Sequence, residues 1–106
     1  MQTRDWAAWI DRMPPPPDGF HVVGEVELGN PGMVAQLVYR QPQGINPTIL
    51  LLDLEVEQRP GTWPDKIEWV KVRYDVTVTP QMPHYGSVTV FANSQLIAEM
   101  PVTETH

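Results

Sequence analysis

The chain has 106 residues, 42% hydrophobic and 19% charged, with a net charge of −6 and no cysteine. That size and mix describe one folded domain with a modest core, and they exclude disulfides, thiolate nucleophiles and cysteine-held metals. No basic stretch exists, which argues against nucleic-acid or anionic-membrane surfaces, since both require clustered Lys and Arg.

No apolar run approaches the ~20 residues that span a bilayer as a helix. The first residues, Met1 to Trp6, lack the apolar core of a signal peptide, so a cytoplasmic location is expected. Residues 3–13 read as a short helix. Thr3 is a suitable N-cap, Trp6, Trp9, Ile10 and Met13 fall on one helical face, and Pro14 stops it. Pro14 to Pro17 read as an extended polyproline strap from that helix to the first strand, rather than as a ligand for an SH3- or WW-type groove.

Six strand-like segments follow. Phe20 to Leu28, Met33 to Arg40, Ile49 to Glu57, Ile67 to Thr79, Ser87 to Ala92 and Leu96 to Val102 each alternate apolar and polar residues with period two. Asn30-Pro31-Gly32-Met33 fits a type II turn, and Asn93-Ser94-Gln95 reads as a three-residue hairpin loop. Pairing each strand with the next satisfies the parity of all apolar positions, for example Tyr39 with Leu50, Leu54 with Val70 and Val78 with Val88. The expected fold is mainly β (α+β): a short N-terminal helix, then a six-stranded antiparallel meander curled into a roll, sandwich or small barrel. It occupies a single domain, 1–106, with a tail at 103–106. An eleven-residue helix about 16 Å long covers only part of such a sheet, so the sheet must curl or pair with a second copy.

On the opposite face, Asp53, Glu55 and Glu57 form an acidic stripe. The meander places Asp53 against Lys71, which favours cross-strand ion pairs over a metal or catalytic cluster. The same register aligns Val23, Val38 and Leu51 in a row beside Ile49, with Trp69, Phe91 and Ile97 nearby. A contiguous apolar row suggests a covered surface, so these seven are the candidate protein interface.

Chemical motifs are weak. His21, His84 and His106 have no ligand spacing, and no metal or cofactor is expected. There is no phosphate loop and no nucleophile elbow. Two Pro-rich loops, 41–47 and 59–65, are stiff. Trp63, Asp65, His84 and Tyr85 form the candidate recognition cluster, set against a simpler reading in which Trp63 folds back on the chain.

The leading expectation is a non-catalytic protein-binding or assembly module, a homodimer or a small subunit of a larger complex. The alternative is a carrier of a small apolar ligand inside a curled sheet. An enzyme using loop-borne Asp65 and His84 ranks third.

Overall fold

The computed structural model describes residues 1–105. It contains seven strands and, among these residues, no helix: β1 (Thr3–Asp11), β2 (Gly19–Leu28), β3 (Met33–Tyr39), β4 (Ile49–Gln58), β5 (Glu68–Thr77), β6 (Ser87–Ala92) and β7 (Gln95–Thr105). They form one sheet in the order β3-β4-β6-β7-β1-β2-β5. The sheet curls until β3 and β5, its two edges, come within 8 Å of each other between Cα atoms, with no ladder joining them. The result is a nearly closed barrel.

The interior is built from the inward half of each alternation. Phe20, Val22 and Val26 of β2, Leu50, Leu52 and Leu54 of β4, Val88 and Val90 of β6, and Ala98 and Met100 of β7 are all buried in one cluster with Val72 of β5. Each fully buried large apolar side chain contributes about 1.5–3 kcal/mol. The expected single buried side is therefore present, although the order of the strands around it differs from a meander.

Several expectations are corrected. Residues 3–11 are a strand, not a helix: β1 lies between β2, antiparallel, and β7, parallel. A lone eleven-residue helix is marginal in water, whereas two neighbouring ladders satisfy the same backbone groups. Ala8 and Ile10 are buried, Trp6 packs on the core beside them, and Met13 is exposed. The true period here is two, interrupted by a bulge between Arg4 and Ala7. The four prolines form successive bends between antiparallel β1 and β2, not an extended spacer. Nor is there a tail at 103–105, which belongs to β7 and pairs with β1; His106 lies outside the described residues.

The meander also fails. Met33 N–H does bond the Asn30 carbonyl, at 3.3 Å, so the turn exists. Gly32 does not adopt the left-handed conformation of a type II turn, and β2 does not pair with β3 across it. Instead β2 takes β1 and β5 as neighbours, and β4 takes β6 in parallel. The β3–β4 hairpin is present but slipped by two residues, with Tyr39 opposite Leu52, an even shift that leaves every side chain on its expected face. In the β6–β7 hairpin, Val90 faces Ala98 and Val88 faces Met100 as expected. Its loop has two residues, because Asn93 (φ 50°) and Ser94 (φ 62°) are both left-handed, the primed turn that matches strand twist. A bulge next to Val90 absorbs the odd residue and leaves Leu96 exposed.

The bulge in β1 explains an unusual glycine. Asp5 takes a left-handed φ of 57°, so Asp5 and Trp6 together face Gly24 on β2. Gly24 points inward, and a methyl group there would overlap the Trp6 ring. Trp6 thus fills the volume that a larger side chain would take. Gly24→Ala is expected to lower stability by about 1–3 kcal/mol through overpacking. Trp6→Ala in the same chain should absorb the added methyl, so that the double variant shows less than the sum of the two losses in denaturant titration.

Candidate binding seam

The open side of the barrel lies between β3 and β5. Reading the pairings around the sheet, four antiparallel steps separate these edges, so they run in the same direction. Two hydrogen bonds fix which backbone groups of β3 face the gap. Arg40 N–H bonds the Leu51 carbonyl (3.1 Å) at one end, and Arg59 N–H bonds the Gly32 carbonyl (2.8 Å) at the other. Antiparallel ladders alternate bonded and non-bonded pairs. Even-numbered residues of β3 therefore bond β4. Ala35, Leu37 and Tyr39 turn their N–H and C=O groups to the seam, and Met33 its C=O, since the Met33 N–H is taken by the Asn30 carbonyl. On β5, Val78 N–H bonds the Asp18 carbonyl at 2.9 Å, so by the same alternation Trp69, Lys71, Arg73, Asp75 and Thr77 face it.

Burial falls off towards this gap. Leu52, Val88, Val90 and Phe20 are fully enclosed, whereas Met33, Ala35, Val70, Tyr74 and Val76 point inward yet are only partly buried. Edge strands usually carry charge or proline to block pairing. β5 has Lys71, Arg73 and Asp75, and the stretch of β4 beyond Asp53, which among the described residues has no partner on its β6 side, has Glu55 and Glu57. β3, Met-Val-Ala-Gln-Leu-Val-Tyr, has none.

All three tyrosines of the chain meet at one end of the seam. Tyr39 from β3, Tyr74 from β5 and Tyr85 from the loop before β6 line a cleft of about 290 Å³ with Thr77, Thr79, Gln81, Met82 and Pro83. Tyr85 is buried edge-on against Phe20, their ring centroids 5.7 Å apart. Burial pushes the Tyr85 phenol above its usual value, helped by the neighbouring Tyr39 and Tyr74 phenols. Burial, then Tyr39, does the same for Tyr74. Both phenols keep their protons through neutral pH, so the cleft offers uncharged donors beside aromatic faces.

The expected site residues are distributed differently. Val23 and Trp69 sit on β2 and β5. Val38, Ile49, Leu51, Phe91 and Ile97 sit on β3, β4, β6 and β7, so the row through Val23, Val38 and Leu51 does not form. The chain itself covers much of what remains. The Arg40 guanidinium stacks 4.4 Å from the Phe91 ring centre, and that of Arg4 lies 3.9 Å from Trp69. Gln43 pins the 41–48 loop against β4: its side-chain oxygen accepts from Leu51 N–H (2.8 Å), and its Nε2 donates to the Leu51 carbonyl (2.7 Å). Ile97 packs on the core.

Asp53 does not meet Lys71. It accepts from Arg40 Nη1 at 3.0 Å, while Lys71 lies opposite Glu25. Among the described residues no group of three or more His, Asp or Glu side chains is placed to hold a metal.

Trp63 folds back, its indole N–H donating to the Arg59 carbonyl (3.1 Å) and its ring lying where a Gly32 side chain would be. Asp65 lies beyond the Glu68 end of β5, and His84 and Tyr85 lie beyond the Thr77 end. Ten strand residues, about 33 Å, separate those ends. The four recognition candidates thus fall into two distant pairs. Tyr39 and Tyr74 were missed because each reads from its own strand as an ordinary inward residue.

A second polar cluster decorates the outer face. His21 on β2 stands between Trp9 (ring centroids 5.2 Å apart) and Asp75, whose Oδ1 lies 2.7 Å from the histidine Nδ1. Arg73 donates to both Asp75 oxygens at 3.1 Å. The Arg73 hydrogen bonds, then the bond to His21, hold the Asp75 carboxyl below its usual value. A lowered folded pKa means that Asp75 contributes stability above its unfolded pKa, and that this contribution is lost as pH falls through the folded value. The stability difference between wild type and Asp75→Asn is expected to be constant near neutrality and to shrink below about pH 4. Urea titrations at stepped pH check this.

Among the described residues no helix is long and apolar enough to cross a membrane. Comparison with protein-family models, curated proteins and solved structures returned no match.

Proposed function

We propose that the protein is a non-catalytic binding or assembly module, a homodimer or small subunit of a larger complex, whose contact surface is the open seam. The observation that carries this reading is the β3 edge: three residues, Ala35, Leu37 and Tyr39, with unpaired N–H and C=O groups, no charged or proline guard, and half-buried apolar side chains beneath. Such an edge accepts a further strand through main-chain hydrogen bonds. The drawn-out shape supports the same view. The radius of gyration is 15.1 Å, against about 13 Å for a compact chain of this length.

The carrier reading has less support. Phe20, Val22, Val26, Leu50, Leu52, Val88 and Val90 fill the barrel interior, as in small barrels that hold no ligand. For the enzyme reading, Asp65 and His84 do not share a cleft.

The test is hydrogen exchange read by NMR. At low micromolar protein the amides of Ala35, Leu37 and Tyr39 should exchange quickly, and approach to millimolar concentration should slow them as copies associate. Ala35→Pro removes one seam-facing N–H without touching the β4 ladder, and should weaken association about tenfold or more while the fold persists. A monomer at every concentration with those amides unchanged would rule out the homodimer, and association unaffected by Ala35→Pro would remove the seam as its site.

A further inference from the structure

We propose that the tyrosine cleft holds the proline strap, Pro14 to Pro17, of a second copy, and that two such contacts related by a two-fold axis close a homodimer. This rests on the assembly reading but places the contact at the end of the barrel rather than along β3.

The strap and the cleft lie at the same end. The Asp18 carbonyl accepts from Val78 N–H, and Gly19 stands opposite Thr77, so the chain leaves the strap beside the residues that begin the cleft. One end patch therefore carries both halves of a contact, which is what a two-fold, self-complementary interface requires.

The two surfaces fit chemically. All four prolines are exposed, as is Met13 before them, and no hydrogen bond to residues 14–17 is formed among the described residues. A proline run presents ring C–H surfaces and carbonyl acceptors but no N–H donors. The cleft presents the complement: phenol donors beside aromatic faces, which suit proline carbonyls and proline rings respectively. Neither surface carries a charged side chain. In a chain of net charge −6, two copies meet at least electrostatic cost where both faces are neutral.

A chain's strap does not enter its own cleft. Arg12, just before the strap, donates to Asp18, just after it, at 2.7 Å, and to Glu104 of β7 at 2.8–2.9 Å. This clamp holds both ends of the strap to the β1 side of the barrel, and the prolines take no part in lining the cleft of their own chain. The same clamp limits the ordering cost of docking.

The experiment is sedimentation equilibrium on the full chain, with circular dichroism to confirm folding. Wild type should dimerise. Tyr39→Ala, at a 44% exposed position, and the exposed double variant Pro14→Ala/Pro16→Ala should each weaken dimerisation about tenfold or more. Each variant keeps one half of the contact, so an equimolar mixture should recover part of the association by forming heterodimers with one intact strap–cleft pair. A wild type that stays monomeric near millimolar concentration overturns the proposal. So does a dimer insensitive to the strap variant, or a mixture that associates no better than its components. A dimer that survives both variants but is lost in Ala35→Pro leaves the β3 reading standing and this one refuted. If Tyr39→Ala fails to fold, Tyr85→Phe in its place removes one phenol donor from the cleft, and the strap variant decides alone.

Discussion

The structure depends on a single strand that changes partners. β7 pairs with β6 from Gln95 to Pro101 and with β1 from Val102 to Thr105. Without it the molecule would be two three-stranded sheets, β3-β4-β6 and β1-β2-β5, with nothing to hold their apolar faces together but contact. The changeover falls at a proline. Val102 N–H bonds the Gly86 carbonyl, so by the antiparallel alternation position 101 would send its N–H to the other side, where the β1 ladder has not yet begun. Proline fits there because no donor is required.

Joining the halves at β7 leaves the opposite side unjoined. The two outermost strands curl towards each other, but they run in the same direction and form no ladder. Parallel neighbours pair through slanted, slightly weaker bonds than antiparallel ones. β3 and β5 must also accommodate Tyr39, Tyr74 and Tyr85 at one end. The open side, the half-buried apolar residues and the tyrosine cleft are thus consequences of one topology.

Outside the barrel, charge is used locally. Arg4, Arg12 and Arg40 each pair with a carboxylate on a neighbouring or adjoining segment and Arg73 with Asp75 of its own strand, and Arg4 and Arg40 also cap an aromatic ring. Isolated exposed pairs of this kind contribute little each, typically under about 1 kcal/mol. Their larger effect is to cover Trp69 and Phe91. The excess negative charge includes the exposed Glu55 and Glu57 of β4, while Asp18 and Glu104 beside the strap are paired with Arg12.

The hydrophobic alternation alone determined that the six apolar runs after residue 19 are strands and which side of each strand is buried, because a period of two survives any even change of register. Leu52, Val72 and Val90 share the core for that reason. Which strand lies beside which was decided only in three dimensions: parity is blind to the choice of neighbour, so β2–β5 and β4–β6 satisfy it as well as a meander does. The first strand was misread because Trp6, Trp9, Ile10 and Met13 match a helix by spacing, while backbone pairing with β2 and β7, invisible in a local window, outweighs helix propensity. The tyrosine cleft belongs to the same class, since three residues from distant segments become a site only when the sheet curls and stops short of closing.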